Sequence, residues 1–125
     1  MIIDLNSLTK MIWLLYYRFF DYQQIILKDV ECKLDGGISI KLYLQYYHVE
    51  TVVDVLIDTH VNDVIVLDIK GDVQFGFIHL DFYQLIHDHI IENNYISKKD
   101  HGIIIKNEYL KDIHLCKDHI ELELL

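Results

Sequence analysis

A chain of 125 residues with 52% apolar side chains is long enough and apolar enough to close one core, which argues against a mostly disordered protein. Twenty acidic against eleven basic residues leave a net charge of −9, with Lys98-Lys99 the only pair of adjacent lysines, which argues against a nucleic-acid partner. Two cysteines, Cys32 and Cys116, are too few for a disulfide scaffold and read as free thiols at inward strand positions.

Residues 6–20 read as a helix. Asn6 or Ser7 is placed to cap it, and Leu8, Met11, Ile12, Leu15 and Phe19 recur at the three- and four-residue steps of a buried face. Trp13, Tyr16, Tyr17 and Phe20 widen that face, so the helix needs cover on more than one side. The apolar run between Lys10 and Arg18 is too short for a membrane span, and no cleavage site follows it. That pattern predicts a cytoplasmic product as synthesised, with export without a signal peptide left open.

The period then changes to two. Val30, Cys32 and Leu34 alternate with Asp29, Glu31 and Lys33, and Asp35-Gly36-Gly37 turns the chain. It returns through Ile38, Ile40, Leu42, Leu44 and Tyr46 on one face, with Tyr43, Gln45 and Tyr47 on the other. A third strand is expected over 51–60, a turn at Val61-Asn62-Asp63, and a long fourth strand. That strand points Ile65, Leu67, Ile69, Val73, Phe75 and Phe77 inward, with Gly71 marking a bulge or bend. A second helix is predicted over 80–93. Its apolar side is Phe82, Leu85, Ile86, His89 and Ile90, and its wet side is Gln84, Asp88 and Glu92. A polar loop over 98–102 and short strands around Ile103, Ile113 and Ile120 complete a single domain spanning 1–125.

No convincing catalytic constellation emerges, and none of the chemistry calls for a cofactor. Ser7, Thr59 and Ser97 lack a glycine-flanked elbow, and Gly36-Gly37 joins two strands, unlike a phosphate-binding loop. His87 and His89 diverge on a helix, while His114 and His119 show no familiar ligand spacing, so no metal site is expected. Asp54 and Asp58 read as solvated charges on an outer strand face. Eight histidines protonating below about pH 6.5 would bring the net charge near zero, an acid-dependent change that ordinary titration explains. Tyr43, Tyr46 and Tyr47, with Tyr16 and Tyr17, are candidates for an exposed contact surface.

Three passages carry a family resemblance: the hairpin Ile26–Ile40, the run Ile69-Lys70-Gly71-Asp72-Val73 leading into the second helix, and the closing strands from Gly102 to Leu124. Their order resembles a single repeat of the tubular lipid-binding (TULIP) superfamily, a curved antiparallel sheet wound around a helix. The small size and the AT-rich coding style, suggested by the AT-rich codons of Ile, Tyr, Asn and Lys, further look like the OrfX-type accessory proteins of clostridial neurotoxin gene clusters. The resemblance implies an α+β fold: a highly curved antiparallel β-sheet packed around one or two α-helices. It also implies non-enzymatic binding of an apolar, lipid-like ligand, a protein partner or another copy of the chain. The expected cleft between helix and sheet is lined by Val30, Leu42, Leu44, Val55, Leu67, Phe75, Phe82 and Ile86. The alternative is an assembly module with a filled core and an exposed aromatic interface.

Overall fold

The computed structural model describes residues 1–19 and 25–125. A short strand, β1 (Ile2–Asp4), leads directly into the helix α1 (Leu5–Phe19). Asp4 caps that helix: its Oδ1 accepts the Ser7 backbone N–H at 2.7 Å, which holds the carboxyl below its ordinary range. The cap therefore precedes the expected Asn6 or Ser7, because β1 delivers the chain to the helix earlier. Leu5, Leu8, Ile12, Trp13 and Tyr16 face inward, against Leu27, Val30 and Cys32. The buried stripe is rotated from the expected one, leaving Met11 and Leu15 exposed beside Leu14 and Tyr17. Phe20 and the side chain of Phe19 lie outside the described residues.

The main sheet is antiparallel throughout. Its strands are β2 (Ile25–Lys33), β3 (Ile38–Tyr46), β4 (Val49–Val61), β5 (Val64–Phe75), β6 (Ile78–Asp81), β7 (Ile96–Lys99) and β8 (Gly102–Lys106). The spatial order is β2-β3-β4-β5-β8-β7, with β6 also on β5. The sheet stays open and packs on both helices, as the alternation requires. In β2 the register slips between Leu27 and Asp29, so Lys28 is an extra residue. That bulge reverses the phase of alternation, which is how odd-numbered Leu27 and even-numbered Val30 and Cys32 are all buried on one face.

The turns differ in chemistry. Gly36 and Gly37 have φ of 70° and 151°, and a Cβ on Gly37 would lie 2.8 Å from Asp58 Oδ1. Tyr47 and His48 form a two-residue turn between β3 and β4 with φ of 47° and 65°. Such primed turns usually carry Asn-Gly, which is why the turn escapes a sequence reading.

Two strands share the free edge of β5: β8 pairs Val64–Asp68 and β6 pairs Asp72–Phe75. The helix α2 (Phe82–Ile86) follows β6 and packs against the inner face. Gly71 permits that approach, since a Cβ there would stand 2.7 Å from the Phe82 Cβ. No bulge occurs at Gly71, and the register with β4 runs straight through the pair Val55–Gly71. Helix α2 is much shorter than the expected 80–93, ending in one 3-10 turn at His87–His89. Asn93 redirects the chain: its Oδ1 accepts the Tyr95 and Ile96 backbone N–H groups at 2.7 and 2.9 Å. Lys98 and Lys99, expected in a loop, belong to β7.

The closing hairpin, β9 (Leu110–Leu115) and β10 (His119–Leu124), joins β1 in a second sheet ordered β1-β10-β9. Asn107 ties the two sheets together, donating from Nδ2 to the Asn62 carbonyl at 2.8 Å and the Leu110 carbonyl at 2.7 Å. No helix among the described residues is long and apolar enough to cross a membrane.

Candidate functional site

The residues expected to line a cleft lie on or beside the inner sheet face. Val30 is buried beneath α1, Val55 beneath α2, and Leu42 and Leu44 touch both apolar clusters. Phe82 and Ile86 pack onto the cluster formed by Val53, Val55, Ile69 and Tyr83. Leu67 shares the face of Ile69 and is half-buried. Phe75 lies farther along, its ring centroid 5.8 Å from that of Tyr46. The helices thus cover the face whose residues were expected to bind, and Val30 and Val55 are only 6% and 5% exposed. A more open groove of about 570 Å³ lies beside this core, lined by Leu5, Cys32, Leu34, Asp35 and Leu115 among others.

Exposed apolar side chains gather at the opposite end of the main sheet. The Tyr47-His48 turn and the Gly76-Phe77 turn lie side by side, with the Gly76 N–H donated to the Glu50 carbonyl at 3.4 Å. Tyr46 and Tyr47 pack edge to face at 4.5 Å, and Tyr46 also meets Phe75. Phe77, expected to point inward, sits on the turn and is 92% exposed, because the strand reverses two residues earlier than expected. Ile78 is exposed beside it. Two other tyrosines of the expected contact surface leave it: Tyr16 belongs to the core, and Tyr43 lies along the sheet with its hydroxyl donated to Glu31 at 3.3 Å.

The titratable groups gather on outer faces and turns. Asp58 faces Asp68 across β4 and β5, and Asp54 faces Asp72, pairings that repel. Neighbouring side chains bond to them: Lys99 Nζ and His60 Nε2 stand 2.6 and 3.2 Å from Asp68, and His79 Nδ1 stands 2.8 Å from Asp72. The hydrogen bond from Lys99 holds Asp68 below the ordinary carboxylate range. On the closing hairpin, His119 lies between Glu121 and Asp118, whose hydrogen bonds raise its pKa. Burial pushes the Cys32 thiol up, which disfavours its thiolate form. Cys116 is half-buried in the β9–β10 turn instead of on a strand.

The most buried large side chain among the described residues was not singled out by pattern. Tyr83 is fully enclosed, and its hydroxyl points between the Lys99 and Gly102 carbonyls at 2.7 and 2.8 Å. His87 and His101 pack on its ring. It fills the gap on the β5 edge between β6 and β8, a position that only the sheet topology creates. No family model, curated protein or solved structure matches the chain.

Proposed function

We propose that this protein is a non-enzymatic binding module that engages a protein partner through the aromatic end of its main sheet. The observation that carries the reading is Phe77, presented at the tip of a tight turn beside Tyr46, Tyr47 and Ile78. An aromatic ring held this far out contributes little to the fold. Rings of this kind serve as anchors at protein interfaces, where they bring large area at small entropic cost. The net charge of −9 favours a neutral or basic protein surface over an anionic membrane.

The experiment is photo-crosslinking from a benzophenone side chain at position 77, with position 88 as the control, in extract of the source cells. A discrete protein adduct formed from 77 and lost on Tyr47→Asp supports the reading. Adducts equal from both positions, or none from 77, overturn it. A second reading, an apolar ligand in keeping with the TULIP resemblance, is favoured by the groove of about 570 Å³ beside Leu5, Leu34 and Leu115, a ligand-sized volume. Native mass spectrometry separates the two: a co-purified lipid mass supports the ligand, and a bare chain supports the assembly role.

A further inference from the structure

The closing hairpin carries two groups of metal-ligating side chains, and the better one is built around its turn. Cys116 and His119 flank the two-residue loop Lys117-Asp118, closed by the Cys116 N–H donated to the His119 carbonyl at 2.9 Å. Glu121 follows His119 by two residues on β10, so strand alternation returns it to the same face. The Sγ, a ring nitrogen and a carboxylate oxygen of these three residues all lie within 4.8 Å of one another.

The histidine is oriented as a metal-bound ring is. Its Nδ1 lies 2.6 Å from Asp118 Oδ1, an acceptor that places the ring hydrogen on Nδ1. Neutral His119 then presents a lone pair at Nε2, 3.0 Å from Glu121 Oε1. Two lone pairs at that distance need a cation between them, and either a proton or a metal ion satisfies the pair. The Cys116 sulfur within the same reach is a donor that a proton there does not use.

We infer that Cys116, His119 and Glu121 form a binding site for a divalent metal ion of the zinc class, with Asp118 as the positioning residue of His119. The donor set decides the class. One sulfur, one imidazole and one carboxylate suit zinc and similar first-row ions, whereas calcium and magnesium take oxygen alone. Bonds of about 2.0–2.3 Å place tetrahedral donors roughly 3.5 Å apart, so small rotamer changes close the site. Binding releases to solvent the Cys116 thiol proton and any proton shared between His119 Nε2 and Glu121 Oε1, and leaves a fourth position open. The neighbouring group Asp112, His114 and Glu123 lacks sulfur, and its members are more exposed.

Cobalt(II) reads the site directly, because thiolate coordination gives a near-ultraviolet charge-transfer band. Titration of the reduced, metal-free protein with Co²⁺ is expected to produce that band, and Zn²⁺ to abolish it by displacement. Cys116→Ser should remove it, while Cys32→Ser and His114→Gln should keep it. His119→Gln should weaken Co²⁺ binding at least tenfold, and Asp118→Asn by roughly 10- to 100-fold, as such orienting partners do. Circular dichroism checks that each variant is folded. In the unsubstituted protein, Zn²⁺ should also slow alkylation of Cys116. Absence of the band, its survival in Cys116→Ser, or alkylation of Cys116 unchanged by Zn²⁺ would overturn the assignment.

Discussion

His48 has a φ of 65° without being glycine, a conformation that strains a residue carrying a Cβ. His48→Gly should raise stability by up to about 1 kcal/mol in urea melts, partly offset by the freer unfolded chain. A drop in stability would show that the imidazole has a role the turn geometry hides. Tyr83 makes the opposite case. Tyr83→Phe keeps the ring but strips the Lys99 and Gly102 carbonyls of a shared donor, which should lower stability by about 1–3 kcal/mol. An unchanged melting curve would mean that water replaces the hydroxyl. Asp68 supplies the pH dependence. Its folded pKa is lowered by Lys99, so its contribution is complete above the ordinary carboxylate range and lost as pH falls through the lowered value. Asp68→Asn should therefore melt below the unsubstituted protein at neutral pH, and the two Tm values should converge in acid. A gap that persists in acid would assign the effect to packing.

At the scale of elements, helix α2 shows what alternation and periodicity can and cannot specify. Phe82, Ile86 and Ile90 meet the inner cluster as their spacing predicted, whereas Leu85 and His89, expected on the same side, are exposed because the short helix turns Tyr83 inward instead. Gln84, Asp88 and Glu92 are exposed as expected. The helix length was not legible, because the Asn93 side chain captures the next amides and turns the chain toward β7. Gly71 and Phe82 form a matched pair across this contact. Gly71→Ala should destabilise by about 1–3 kcal/mol through overpacking, and Phe82→Ala by about 2–4 kcal/mol, since the ring is only partly buried. Combined with Phe82→Gly, Gly71→Ala should be more stable than the sum of the two single variants predicts, because the new methyl meets the Phe82 Cβ at 2.7 Å, an atom that alanine at 82 would keep and glycine removes. Strict additivity in denaturant melts would show that the two do not compete for space. Asp88→Ala, on the exposed side, should stay within about 0.5 kcal/mol of the starting protein.

For the whole molecule, charge and exposed apolar surface act together. The net charge of −9 at pH 7 falls toward zero near the sequence pI of about 5.2, while Phe77, Leu14 and Ile91 remain exposed. Light scattering should then show self-association near pH 5 that disperses at pH 8, as electrostatic repulsion returns. Equal scattering at both values would mean that these side chains are shielded. The antiparallel α+β architecture was legible because the periods of two and near four repeat over many residues, and each follows from backbone geometry alone. The Gly36-Gly37 turn was legible for the same local reason. Much else rested on contacts distant in sequence. The pairing of β1 with β10 advanced the cap to Asp4, and the division of the β5 edge between β6 and β8 made the pocket that Tyr83 fills. The Lys28 bulge set the phase of β2 against β3, and the hairpin turn brought Cys116, His119 and Glu121 within reach of one another. Sequence by itself determined which residues alternate and therefore the kind of layers this protein builds. Only the tertiary structure decided which edges meet, because strand pairing and donor convergence depend on register and turn geometry that no single strand encodes.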